Sequence, residues 1–152
     1  MGWLELGVPD EAEAELGRIS VALQVHPDVL EARWLILAQT KRWEAALEIA
    51  RNLLKCAPNR SSGWLHQAYS LRRVPAAGLQ EAWEALLPAY TKFPREATIP
   101  YNLSCYACQM AQLDEARTWL RRACKLGGKR RIKQMALDDP DLQPLWAEIR
   151  KF

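Results

Sequence analysis

Apolar residues recur at spacings of three and four positions along most of this sequence. The first long stripe contains Trp43, Ala46, Leu47, Ala50, Leu53, Leu54 and Ala57. Such spacings place apolar side chains along one face of an α-helix. Pro58 follows, and proline cannot continue a helix because it has no amide hydrogen to donate. The pattern therefore predicts a helix that begins at Trp43 and ends before Pro58.

Two later stripes predict two more long helices. One contains Ala82, Trp83, Ala85, Leu86, Ala89 and Tyr90 and ends before Pro94. The other contains Leu113, Ala116, Trp119, Leu120 and Ala123 and ends at Gly127-Gly128, since glycine is common where helices stop. Pro88 lies within the first of these stripes, so we expect a kink or an early helix end between Glu84 and Pro88.

A shorter helical pattern precedes each of these long helices. The shorter patterns cover Asp28–Gln39, Trp64–Arg72 and Pro100–Gln109. No segment alternates apolar and polar residues over more than a few positions, as a half-buried strand would. The sequence therefore predicts an all-α protein in which a short helix, a turn and a longer helix recur.

The helical units recur with a regular period. Ala46, Ala82 and Ala116 occupy equivalent places in the three long helices, at separations of 36 and 34 residues. Prolines end the successive units at Pro27, Pro58 and Pro94. Helix–turn–helix units with a period of about 34 residues are typical of a helical solenoid.

Two segments resemble the second helix of a tetratricopeptide repeat: KRWEAALEIARNLLKCAP, from Lys41 to Pro58, and MAQLDEARTWLRRA, from Met110 to Ala123. Both carry an aromatic or leucine residue, acidic residues, a small alanine and then further apolar residues. The segment from Val8 to Ile19 resembles another second helix. The resemblance covers about Trp3 to Gly128, and one departure is Trp34, which stands where the family usually has a small residue.

This resemblance implies a tetratricopeptide-like helical solenoid of about three to four helix pairs within a single domain, residues 1–152. Residues of about 3–128 would form the repeats. Residues of about 129–152 would form a C-terminal cap, because the last apolar face of a solenoid must be covered. Within the cap, Ile132–Leu137 and Asp141–Ile149 are each predicted to form a short helix.

The family also implies a concave groove that is lined by the first helices of the repeats and binds a peptide or a partner protein. The candidate contacts in this groove are Leu35, Gln39, Tyr69, Arg72, Arg73, Tyr101, Asn102, Cys105 and Gln109. Two roles remain open for Arg72 and Arg73. They either flank Tyr69 as an anchor for acidic groups or cap the carbonyl groups at a helix end.

Cys105 and Cys108 have the C-x-x-C spacing of zinc sites and thiol–disulfide enzymes. Zinc needs four ligands and the sequence has no second such pair. A redox cysteine normally lies at a helix N-terminus, whereas Cys105 lies about five residues after the predicted helix start at Pro100. We interpret the pair as packing or groove-lining residues, and a thiol redox or metal-binding protein remains the alternative function.

Composition and charge narrow the remaining functions. No serine or histidine motif of a hydrolase and no phosphate-binding loop appears, so we expect a non-catalytic protein without a cofactor. The net charge of +3 is too small to predict a nucleic-acid partner. Lys129-Arg130-Arg131 could contact RNA, but Asp138, Asp139 and Asp141 follow closely. We therefore interpret these cations as a solvated turn.

The chain shows no sign of a membrane segment. Its longest apolar runs are far shorter than the ~20 residues that span a bilayer. The N-terminal sequence MGWLELGVPDEAEAEL carries acidic residues where a signal peptide carries basic ones. The sequence therefore predicts a cytoplasmic protein that does not insert into membranes.

Overall fold

Helices are the regular secondary structure throughout residues 9–17 and 23–152, the part of the chain that the computed structural model describes. The α-helices are α1 (Pro9–Gly17), α2 (Pro27–Gln39), α3 (Trp43–Cys56), α4 (Ser61–Leu71), α5 (Leu79–Lys92), α6 (Thr98–Gln109), α7 (Leu113–Gly127), α8 (Lys129–Leu137) and α9 (Trp146–Ile149), and 3-10 turns occupy Leu23–Val25 and Pro140–Leu145. The predicted all-α class is confirmed. The expected start of the repeats near Trp3, with Val8 and Ile19, lies outside the described residues.

The chain divides into two compact units, an N-terminal unit of Met1–Gly78 and a C-terminal unit of Leu79–Phe152. In the N-terminal unit, α3 packs against both α2 and α4, and α1 packs against α2. The buried apolar residues of these helices are Leu30, Ala32, Trp34, Ile36, Leu37, Ala46, Leu47, Ala50, Leu53, Ala68 and Leu71. Helix α3 begins at Trp43 and ends at Cys56, as its apolar stripe predicts.

In the C-terminal unit, α6 packs against α5, against α7 and against the second 3-10 turn. The core residues with almost no exposed surface include Ile99, Leu103, Ala116, Leu120, Ala123, Ile132, Leu142, Leu145 and Ile149. Gly127 ends α7 where α8 comes close: a Cβ at this position would lie 2.9 Å from Cβ of Ala97 and 3.0 Å from Cδ1 of Ile132.

Among the described residues, no helix combines the length and the apolar character needed to cross a membrane.

The turns inside the α2–α3 and α6–α7 pairs have the same backbone conformation. Lys41 has φ of 58° and Ala111 has φ of 60°, the left-handed region that side chains other than glycine seldom adopt. In the first turn, the amide of Lys41 donates to Ala38 O and that of Arg42 to Leu37 O. The amides of Ala111 and Gln112 donate in the same way to Cys108 O and Ala107 O. The separation from Lys41 to Ala111 equals that from Ala46 to Ala116, so the alanine repeat of the sequence corresponds to a repeated turn.

Pro88 does not end its helix. Helix α5 runs from Leu79 through Pro88 to Lys92, so the early helix end near Glu84 to Pro88 is wrong. Leu86 and Ala89 on either side of the proline are fully buried, whereas Pro88 itself is exposed. The packing of these neighbours keeps the backbone helical. Glu84, whose carbonyl loses its amide partner at Pro88, is an exposed residue.

The helices of residues 129–152 differ in one respect from the sequence expectation. Helix α8 is present as predicted, but Asp141–Ile149 is not one α-helix, because the 3-10 turn Pro140–Leu145 precedes the short helix α9. Pro144 lies inside this turn and removes an amide donor from the α-helical hydrogen-bonding pattern. Leu142, Leu145 and Ile149 are nevertheless buried as the apolar spacing predicts.

Trp34, the departure from the family pattern, packs between helices α2 and α4. Its ring stacks on the imidazole of His66 with a centroid distance of 3.8 Å and an interplanar angle of 11°. Its indole N–H donates to Ser70 Oγ at 2.9 Å, and Ser70 Oγ donates in turn to His66 O at 2.8 Å. Ser70 has no exposed surface. The large ring therefore joins α2 to α4, and it also belongs to the buried cluster that contains Ala46 and Ala50 of α3.

The buried hydrogen bond between Trp34 and Ser70 can be tested by a double-mutant cycle. We expect Ser70→Ala to lower the free energy of unfolding by about 1–3 kcal/mol, because the buried indole N–H loses its acceptor. In a Trp34→Phe background the same substitution should cost clearly less, since phenylalanine has no donor. Urea unfolding of the four proteins gives both costs. Equal costs in the two backgrounds would show that the hydrogen bond contributes nothing.

The stability of the fold should depend on the protonation of His66. Burial lowers the pKa of His66 from 6.5 to about 4, although the negative charge of Glu31 partly opposes this shift. The unfolded chain therefore takes up the proton first as the pH falls, and the free energy of unfolding decreases between pH 6.5 and pH 4. Because His66 is partly exposed and a protonated imidazole would attract the Trp34 ring, we expect a loss of about 1–2 kcal/mol.

Urea unfolding at pH 7 and at pH 4.5 measures this loss. A His66→Phe variant keeps an aromatic ring against Trp34 without a titrating group, so its stability should fall less over the same range. An identical pH dependence in the parent and the variant would contradict the assignment to His66.

Candidate functional site

Three of the predicted contacts are exposed on neighbouring helices of the N-terminal unit. Leu35 and Gln39 lie one turn apart on α2, and 42% of the surface of Leu35 is exposed. Tyr69 lies on α4 with 38% exposed, and its ring meets that of Trp34 edge-on at 5.6 Å. Because Trp34 links α2 to α4, the structure brings this part of the predicted contact set together.

Arg73 is held against two aromatic rings at the end of α4. Its guanidinium carbon lies 3.6 Å from the ring centroid of Tyr69 and 5.1 Å from that of Trp43. Its Nη1 also donates to the backbone carbonyl of Tyr69 at 2.9 Å. Arg73 therefore caps a helix carbonyl, which is one of the two roles that the sequence leaves open, and it also stacks on aromatic rings. Its role as an anchor for acidic groups stays a prediction. Arg72 is the half-buried C-cap residue of α4.

A depression of about 530 Å³ opens beside this arginine. Its lining residues are Lys41, Arg42, Trp43, Glu44, Ala45, Arg73 and Pro75. Three of them are cations and one is an acid, and Arg42 is already paired with Glu13 at 2.8 Å. Within the part of the chain that the structure describes, Lys41 and Arg73 form no ion pair. The depression is therefore basic and has an aromatic wall.

Sequence reasoning missed Lys41 and Trp43 as members of this surface. Trp43 begins the apolar stripe of α3, so its side chain was assigned to packing alone. Trp43 is half-buried and faces Tyr69 at 5.7 Å, so it is both a packing and a surface residue. The only signal for these residues in the sequence was the short connection between α2 and α3. This connection places Lys41 and Arg42 at the rim of the depression.

The predicted contacts on α6 are covered by the protein itself. We define the C-terminal segment as residues 139–152. Tyr101 and Cys105 are 6% and 4% exposed, and Tyr101 donates its phenolic hydrogen to Asp139 Oδ2 at 2.8 Å. Cys105 Sγ lies 3.6 Å from the same oxygen. Gln109 is exposed and donates to Asp141 O at 2.9 Å, and Asn102 is half-buried. In this conformation the C-terminal segment occupies the face of α6 where a partner was expected.

The thiols of the C-x-x-C pair lie in this covered region. Cys105 and Cys108 are both buried and unbridged. Burial is the main reason why the pKa of Cys108 is raised, and the negative charge of Asp141 adds to it. A redox thiol needs the opposite shift, because the thiolate is the reactive form. Ligand atoms of Cys105, Asp139 and Asp141 lie within 4.8 Å of one another, and the contact of Cys105 with Asp139 is part of the polar contacts that hold the C-terminal segment.

In comparisons with known proteins, no family model matches this chain and no curated protein matches it significantly.

The burial of the C-x-x-C pair predicts that these two thiols react more slowly than the exposed Cys56. Cys56 is exposed and should react quickly with a disulfide reagent at pH 8. Cys105 and Cys108 should react on the order of a hundredfold more slowly, because they need local opening first. Peptide mapping by mass spectrometry after timed labelling identifies each thiol.

The labelling rate of Cys105 can be compared between two matched variants, Asp139→Ala and Asp138→Ala. Asp139→Ala removes the acceptor for Tyr101 and the cap that Asp139 Oδ1 gives to the Asp141 amide, so Cys105 should react faster. Asp138→Ala removes an exposed neighbour of the same charge and should leave the rate unchanged. Labelling of Cys105 as fast as that of Cys56 in the parent would contradict the buried arrangement.

Proposed function

We propose that this chain is a non-catalytic protein-binding module built from tetratricopeptide-like repeats. Its partner would be a protein segment that binds along the exposed faces of α2 and α4, and Arg73 with its two aromatic neighbours would anchor that segment. The observation that carries the proposal is the position of Arg73, which lies between Tyr69 and Trp43 beside an open basic depression.

The repeated turns support the tetratricopeptide part of this proposal. The α2–α3 and α6–α7 pairs each reverse direction through a left-handed residue, at Lys41 and Ala111. Fully buried alanines, Ala46 and Ala116, follow at the same distance in both pairs. Repeating units of two helices with small residues at their contact are the structural unit of such solenoids.

The arrangement of Arg73 suits recognition of an acidic partner. A guanidinium group that stacks on aromatic rings has already lost much of its freedom, so binding costs less conformational entropy. Its remaining N–H groups can donate to a carboxylate as a paired set. Lys41 adds a second positive charge across the depression. A partner with an acidic residue next to an apolar one would match both Arg73 and the exposed Leu35 and Tyr69.

Capture experiments with charge-matched variants test this function. The immobilised full chain is incubated with lysate of the source cell, and the captured proteins are identified by mass spectrometry, purified and measured by calorimetry. We expect Arg73→Gln to weaken binding by about tenfold or more, as truncation of an anchoring arginine commonly does. Tyr69→Ala should have a similar effect.

Arg51→Gln is the matched control, because Arg51 is an exposed residue on α3 and the substitution removes the same charge. Far-UV circular dichroism should be the same for the parent and all the variants. The proposal fails if the parent captures no partner, or if Arg73→Gln and Arg51→Gln have equal effects on the affinity.

A further inference from the structure

The segment from Arg117 to Leu137 carries positive charges and no negative ones. It contains eight lysine and arginine residues and no aspartate or glutamate. It covers most of α7 and all of α8, so its charges are presented on two packed helices. The net charge of +3 averages this segment with the rest of the chain and therefore hides a strong local concentration of positive charge.

Two of the eight basic residues form ion pairs or hydrogen bonds within the unit. Arg117 pairs with Glu148 at 2.7 Å and with Asp114 at 2.7 Å. Lys133 Nζ donates to the backbone carbonyls of Arg150 and Phe152 at 3.2 and 3.1 Å. These two side chains hold the end of the chain against α7 and α8.

The other six are exposed: Arg121, Arg122, Lys125, Lys129, Arg130 and Arg131. We call them the basic face. With 3.6 residues per turn, the three on α7 project on the side opposite the buried Ala116, Leu120 and Ala123. The first turn of α8 carries the other three, and only Gly128 separates the two helices. Among the described residues, none of the six forms an ion pair.

Two acidic residues that follow the basic face in sequence are engaged within the unit. Asp139 accepts hydrogen bonds from Tyr101 and from the Asp141 amide on the side of α6. Glu148 is paired with Arg117. The interpretation of these cations as a solvated turn relied on Asp138, Asp139 and Asp141, and of these three Asp139 is engaged with α6.

We propose that the basic face binds the phosphate backbone of double-stranded nucleic acid without reading its sequence. Four of its six residues are arginines, whose guanidinium groups match phosphate oxygens in paired hydrogen bonds. A duplex carries about one negative charge per 1.7 Å of its axis, and cations on a protein gain affinity by releasing its condensed counterions. Six exposed cations on two packed helices suit this interaction.

The rings near the basic face favour a duplex over a single strand. Proteins that bind single strands usually offer exposed aromatic rings on which bases stack. Here Trp119 is 5% exposed, and it meets Tyr90 edge-on at 4.8 Å. Arg122 covers both rings, at 4.5 Å from Trp119 and 5.5 Å from Tyr90. These aromatic side chains orient a cation and do not form a surface for bases.

Fluorescence anisotropy with a labelled DNA duplex of about 20 base pairs tests the proposal on the full chain. We expect binding at 50 mM salt that weakens steeply as the salt concentration rises, since each phosphate contact contributes about −0.9 to the slope of log K against log salt. The triple variants Arg121→Gln/Arg122→Gln/Lys125→Gln and Lys129→Gln/Arg130→Gln/Arg131→Gln should each bind about tenfold more weakly and show a slope smaller by about two to three.

A triple control removes the same charge elsewhere. Arg51→Gln/Lys55→Gln/Arg95→Gln changes three exposed residues outside the basic face and should leave both the affinity and the slope close to those of the parent. The proposal is overturned if the duplex does not bind at 50 mM salt, or if the control and the basic-face variants lose affinity equally. Tighter binding to the single strand, to a polyglutamate peptide or to vesicles of anionic lipid would also overturn it.

Discussion

The close approach of paired helices at small residues is the constraint on which the two units depend. Ala46 and Ala116 have no exposed surface, and each follows a turn whose left-handed residue reverses the chain within a few positions. Helices that meet at alanine can approach closely. Large aromatic residues pack around these alanines, since Trp34 and Trp43 belong to the cluster of Ala46 and Tyr101 and Trp83 to that of Ala116.

The aromatic residues accordingly meet arginines at the surface in both units. In the N-terminal unit, Arg73 covers Tyr69 and Trp43, and in the C-terminal unit Arg122 covers Trp119 and Tyr90. The packing is similar but the surroundings differ. Arg73 faces an open depression with an aromatic wall, which suits a protein segment. Arg122 belongs to a broad row of cations, which suits a polyanion.

The sequence predicts what local spacing controls and misses what distant contacts control. The starts of α3 and α7 are confirmed at Trp43 and Leu113, because the apolar period and the flanking residues are local signals. The helix through Pro88 is continuous because Leu86 and Ala89 pack against other elements, which a propensity argument cannot weigh. The resemblance to the first helices of repeats suggested Tyr69 and Arg73 as contacts. Their partner Trp43 was missed, since two different helices bring these rings together.

The contact between Tyr101 and Asp139 has two consequences, and neither is visible in the sequence. It joins residues that are 38 positions apart and closes the face of α6, so that Tyr101 and Cys105 become core residues. The same carboxylate is thereby engaged on the side of α6, although Asp139 follows the cations of α8 closely in sequence. The charge pattern of the C-terminal unit therefore has to be judged from its contacts, because sequence proximity alone would pair this acid with those cations.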